Sequence, residues 1–325
     1  MATSIWFWVG FNAFVLLMLA LDLGVFHRKA HEVKLREAAT WSAIWVGVAM
    51  LFNAGLYFFV GKQPALEFLT GYLVEKSLAV DNIFVIAMIF SYFAVPAIYQ
   101  HRVLFWGILG ALVMRGAFIA MGAYALERWH WIIYVFGGLL LLTGIKMALK
   151  KDDDHFDGER NPVVRFARRF IPMTHRYDGQ KFWTVENGRR VATPLFLVLL
   201  LVEVSDLVFA IDSIPAIFAI TKDPFLVYTS NVFAILGLRS MYFLLAGVMH
   251  KFVYLKYGLS GVLVFVGAKM MLIDVYKIPT AVSLGVIATL IGGSIALSFW
   301  AARKAEREGR ELGKAHPAGP APASS

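Results

Sequence analysis

The chain contains no cysteine. That removes disulfides, thiolate nucleophiles, thiol redox relays and soft-metal thiolate sites together. Charge is scarce as well. Only 16% of the 325 residues are Asp, Glu, Lys or Arg, against about 25% in soluble domains, which face water on every side. The 59% hydrophobic content and mean hydropathy of +0.67 complete that exclusion. The chain reads as a polytopic membrane protein, all-α, because helices satisfy their own backbone in lipid. A net charge of +9 reflects topology, since cytoplasmic loops collect Lys and Arg, and no nucleic-acid partner is expected.

A helix needs about 20 apolar residues to cross the hydrocarbon core. Nine segments qualify: 5–26, 41–60, 66–93, 103–125, 129–148, 194–220, 226–248, 252–275 and 279–300. The start, Met1 to Gly10, lacks a basic region and reads as a first membrane helix, not a cleaved signal peptide. A polar loop, 149–193, separates the fifth and sixth segments, and the tail 301–325 has a disordered composition. Loops 27–40, 94–102 and 149–193, with Lys251, Lys256 and the tail, hold 22 of the 31 basic residues, and the opposite side holds four. The chain is therefore predicted in the inner (plasma) membrane with its N-terminus outside and C-terminus cytoplasmic.

Ionisable residues inside membrane segments are costly and mark function by default, and here they recur. Glu75-Lys-Ser-Leu-Ala-Val-Asp81-Asn-Ile matches Asp206-Leu-Val-Phe-Ala-Ile-Asp212-Ser-Ile. Arg115 in span four parallels Arg239 in span seven. Tyr134, Gly138, Leu140, Gly144, Lys146, Met147 and Leu149 match Tyr257, Gly261, Leu263, Gly267, Lys269, Met270 and Leu272 at identical spacing. Spans 3–5 (66–148) and 6–8 (194–275) thus read as two copies of one three-helix unit. An odd number of crossings inverts one copy, as in many secondary transporters. Residues 1–65 add two N-terminal spans and 276–300 the ninth.

Acids six positions apart sit about 9 Å apart along a helix, so the two of one copy cannot easily share an ion. Inversion predicts two acidic layers, Glu75 with Asp212 and Asp81 with Asp206. Ser77, Asn82, Ser205, Ser213 and Asn231 add neutral oxygens, and Glu203 lies one turn before Asp206. Pro215 is expected to break or kink span six, freeing carbonyls. Arg115, Arg239 and Lys76 read as counter-charges, whereas Lys146 and Lys269 read as snorkelling residues near span ends. All eight histidines fall in loops or at span edges. An oxygen-only donor set suits Mn²⁺, Mg²⁺ or Ca²⁺ alike. No organic cofactor and no enzymatic activity are expected. The acidic run 152–157 reads as a solvated face.

These motifs resemble the TerC family. The resemblance rests on the span-three motif at Glu75 and on Ala192-Thr-Pro-Leu. It also rests on Glu203-Val-Ser-Asp-Leu-Val-Phe-Ala-Ile-Asp-Ser-Ile-Pro and Ser230-Asn-Val-Phe-Ala-Ile-Leu-Gly-Leu-Arg-Ser. The nine-span length and Asp22-Leu-Gly-Val-Phe point to its Alx-type members. The resemblance implies Mn²⁺ export from the cytoplasm and a response to alkaline conditions, with Glu75, Asp81, Glu203, Asp206 and Asp212 as membrane acids. Other members are linked to tellurium resistance. A stress or redox module acting through a cytoplasmic partner at loop 149–193, and an amino-acid exporter, are the alternatives.

Overall fold

The computed structural model describes residues 5–21, 35–149, 161–186, 188–245 and 254–307. The acidic run 152–157, the motif beginning at Asp22 and the tail beyond 307 lie outside them. The described chain is nearly all helical. Its elements are α1 (Ile5–Leu21), α2 (Leu35–Phe59), α3 (Lys62–Tyr92), α4 (Ala97–Arg128), α5 (Ile132–Leu149), α6 (Pro162–Phe170), β1 (Trp183–Glu186), β2 (Arg189–Ala192), α7 (Pro194–Phe218), α8 (Pro224–Leu236), α9 (Leu238–Leu245), α10 (Leu255–Met271) and α11 (Thr280–Arg307). Each apolar segment of the sequence falls on a helix, the seventh on the pair α8–α9.

Helices α2, α4, α5, α7 and α11 are long and apolar enough to cross a bilayer. Helix α3 is longer than most of these but carries Glu75, Lys76 and Asp81 in its middle. Helix α10 has 17 residues, and α8–α9 is interrupted. Trp6, Leu51, Phe59, Val113 and Leu142 lie exposed on the outside, an arrangement that hydrocarbon tolerates and water does not.

Local chemistry sets several boundaries. Asn161 and Asp223 cap α6 and α8 by accepting from Val163 N and Phe225 N, both at 2.9 Å, with Pro at the first helical position. Pro215 does not break α7, which runs on to Phe218. So close to the helix end, the missing donor deprives only one carbonyl in the last turns. The interruption falls instead at Gly237, between α8 and α9. There Lys76 Nζ donates to Ala234 O (3.4 Å), and a Cβ on residue 237 would stand 2.5 Å from that ammonium.

The tightest seam joins α5 to α10. A Cβ on Gly267 would lie 2.8 Å from Gly137 O and 2.9 Å from Leu141 N. One on Gly144 would lie 3.0 Å from both Ser260 O and Val264 N. Glycine alone lets the two backbones approach this closely. Helix α3 packs on α7 and α8, and α4 on α7 and α8. Helix α6 and the β1–β2 hairpin sit at the end of the bundle where α3 finishes and α4 and α7 begin. Val164 and Ala167 there join a core with Phe90, Val103 and Leu195.

Candidate cation site between α3, α4, α5 and α7

The charges inside the bundle cluster around one arginine. Arg115, 2% exposed, projects from α4 between α3, α7 and α8. Its Nη2 and Nε grip both carboxylate oxygens of Asp206 at 2.8 and 3.1 Å. Its Nη1 donates to Glu75, to Asn231 Oδ1 (2.7 Å) and to Ser213 Oγ (3.3 Å). Asn231 Nδ2 in turn donates to the other Glu75 oxygen at 3.3 Å. One planar fork therefore neutralises an acid from α3 and an acid from α7. This regroups the acids: Glu75 is joined to Asp206, not to Asp212, because the guanidinium lies between them and holds one on each side.

Asp81 and Asp212 are left for a different role. Both line a cavity of about 230 Å³, together with Glu75, Asn82, Arg115, Thr143, Lys146 and Ser213. Asp212 accepts from Thr143 at 3.0 Å. Asn82 donates to Asp206 Oδ1 at 3.3 Å, while its own amide oxygen is buried with no hydrogen-bond donor. An unpaired buried oxygen costs free energy unless something positive meets it. Asn82 and Phe209 also line a smaller, adjoining pocket with Ser205 and Asp206.

The other expected ligands do not line the larger cavity. Ser77 and Ser205 return their protons to Leu73 O (2.6 Å) and Leu201 O (2.8 Å), the usual habit of a serine within a helix. Glu203 packs on Gly110 of α4, where any Cβ would overlap its carboxylate, and its Oε2 has no hydrogen-bond partner. Two of the three assigned counter-charges also sit elsewhere. Lys76 projects to the α8–α9 break, because adjacent residues of a helix point about 100° apart. Arg239 lies with Nη1 2.9 Å from His101 Nε2. Among the described residues, no three His, Asp or Glu side chains converge on one point. A cation here would rest on Asp81 and Asp212 with amide and hydroxyl oxygens making up the shell. Thr143 and Lys146 were not anticipated in it. The position that the sequence match pairs with Thr143 is Val266, which has no hydroxyl, and Lys146 lies in the last turn of α5, where snorkelling is the ordinary reading.

Comparison with known proteins adds an independent line. The family model described as Integral membrane protein TerC family matches residues 60–306. An uncharacterized membrane protein of Myxococcus xanthus is 60% identical over 298 residues, spanning 92% of this chain and 93% of that one. A protein of Escherichia coli K12, named as a candidate membrane-bound redox modulator Alx, is 51% identical over 302 residues, spanning 90% and 94%. An uncharacterized membrane protein of Rickettsia bellii is 39% identical, spanning 87% and 94%. No solved structure matches.

Proposed function

As the chain belongs to the TerC family of integral membrane proteins, we propose that it is a transporter, not an enzyme, that exports a divalent cation, Mn²⁺ foremost, from the cytoplasm. The observation that carries this reading is the division of labour among four intramembrane acids. Glu75 and Asp206 are spent on Arg115, while Asp81 and Asp212 face a shared cavity beside an amide oxygen that lacks a donor. Two carboxylates with neutral oxygens make a hard, divalent-preferring shell. Mg²⁺ and Ca²⁺ meet the same donors and are the competing cargoes.

The proposed architecture has nine crossings, an external N-terminus and a cytoplasmic C-terminus in the inner membrane. Spans 3–5 and 6–8 form inverted copies. The α5–α10 seam supports the repeat. Gly144 meets Ser260 and Val264, and Gly267 meets Gly137 and Leu141. These two sets exchange under the same offset that carries Tyr134 to Tyr257. Asp81 and Asp212 are likewise equivalent positions, so the cavity lies where the copies meet, as a midplane transport site requires. Rocking of one copy against the other would expose the acids to each side in turn, and Arg115, bonded to both copies, would hold them in register.

The name of the Escherichia coli relative favours a second reading, a redox module working through a partner. With no cysteine, this chain has no thiol for such chemistry. One assay separates the two: Mn²⁺ flux into proteoliposomes of the purified protein, with Mg²⁺ and Ca²⁺ as competitors and an imposed pH gradient. Partner-free flux, lost in both Asp81→Asn and Asp212→Asn, is expected. Flux that survives both substitutions would remove the site, and absence of any divalent flux would remove the transporter.

A further inference from the structure

Helix α6 has two exposed faces of opposite character that neither the fold nor the cation site uses. Val164 and Ala167, one turn apart, anchor it to the bundle end. Phe166 and Phe170, also one turn apart, stay 66% and 65% exposed, and their rings touch at a centroid distance of 4.6 Å. Arg165, Arg168 and Arg169 fill the remaining arc, exposed, with the Arg169 guanidinium 6.0 Å from the centre of the Phe170 ring. In 100° steps the phenylalanines and the arginines centre about 125° apart. A helix whose only task was to close the bundle end would gain nothing from paired phenylalanines in water.

We propose that α6 is an interfacial anchor that lies against anionic lipid headgroups, with Phe166 and Phe170 in the headgroup–acyl boundary and the three arginines on the phosphates. Three observations point to lipid as the occupant. The helix sits at the end of the bundle where α3 finishes and α4 and α7 begin, the depth at which membrane-crossing helices reach the surface. Apolar rings beside guanidinium groups match a layer that is apolar below and negative above. The rest of the described loop is basic too, with Arg176, Lys181, Arg189 and Arg190. Each basic residue close to an anionic surface shifts the docked equilibrium about fivefold, so three shift it on the order of a hundredfold.

The absence of native cysteine makes the test direct. The full-length protein with Phe166→Cys carries one environment-sensitive fluorophore and is placed in nanodiscs of phosphatidylglycerol or of phosphatidylcholine alone. In phosphatidylglycerol the emission should shift to the blue and lose most of its quenching by acrylamide, and high salt should reverse this. In phosphatidylcholine the probe should remain quenched, as should one at Val185→Cys on the hairpin in either lipid. Adding Arg165→Gln, Arg168→Gln and Arg169→Gln should abolish the blue shift, and the three Arg→Lys changes should retain it. These positions are exposed, so the fold tolerates all of them. Equal shielding in both lipids would overturn the proposal, because the acidic run Asp152–Asp157 or another part of the chain would then be the cover. A probe exposed in both lipids, protected only by added cytosolic protein, would overturn it in favour of a protein partner.

Discussion

Replacing Arg115 with Met should be among the most damaging single changes in the chain. The guanidinium is 2% exposed and makes charge-assisted bonds to Asp206 at 2.8 and 3.1 Å, to Glu75, and to Asn231 at 2.7 Å. Methionine fills most of the volume, so the loss is electrostatic. Glu75, 1% exposed, and the largely buried Asp206 carboxylate are left without their counter-charge. Breaking a buried ion pair from one side costs about 3–5 kcal/mol, and two acids share this arginine. Removing the charges together should cost far less, since buried ionic networks often exchange for neutral groups at little loss. The assay is unfolding of the detergent-solubilised protein for Arg115→Met, for Glu75→Gln with Asp206→Asn, and for the triple variant. The single variant should lose several kcal/mol, with the triple recovering most of it. A loss below about 1 kcal/mol, the range of surface pairs, or a triple no better than the single, would refute the clamp.

Three further outcomes follow from the geometry. Gly267→Ala should destabilise by about 1–3 kcal/mol through overpacking, because its Cβ would enter the space of Gly137 O at 2.8 Å, whereas Gly138→Ala, with nothing within 4 Å, should be nearly silent in the same thermal assay. Tyr177→Phe should cost about 1 kcal/mol through loss of its 2.8 Å bond to Phe93 O, seen as faster hydrogen exchange in residues 174–192. The Asp178 carboxyl is held below its ordinary value by hydrogen bonds from Thr184 and Lys181. The anion is thus favoured in the folded loop, and its contribution is full above the ordinary carboxylate range and lost as pH falls through the lowered value. Proteolysis of the hairpin should accelerate on acidification, and Asp178→Asn should remove that dependence.

The position of each apolar run was readable because lipid imposes length directly, and the described part of each run lies mainly on helix. The break in the seventh was not. Gly237 carries no proline-like signature, and the Lys76 ammonium beside the break arrives from a helix 158 residues away from Ala234 in the chain. Pro215 advertised a break that its place near the end of α7 made unnecessary. The acids stood out because charge is rare inside apolar segments, yet their pairing did not follow from periodicity. It is decided by Arg115, whose reach across three helices is a tertiary fact. Thr143 and Lys146 were hidden for the opposite reason, since each has an ordinary role in a helix and becomes part of the cavity only through packing of α5 against α7 and α10.

Across the α5–α10 seam the backbone contacts of Gly144 with Ser260 and Val264 recur as those of Gly267 with Gly137 and Leu141, with the two helices exchanged. That is the logic of an isologous dimer interface, written into a single polypeptide. In a dimer of identical subunits any change must appear on both sides at once. Covalent linkage lifts that constraint, and in the proposed repeat the chain uses the freedom: α4 is continuous where the matching α8–α9 pair is divided at Gly237. The seam keeps the exchange relation, whereas the departures fall on α4 and on the α8–α9 pair. In the proposed transport cycle, such an inequality between the halves is what would give the two directions of movement different energies.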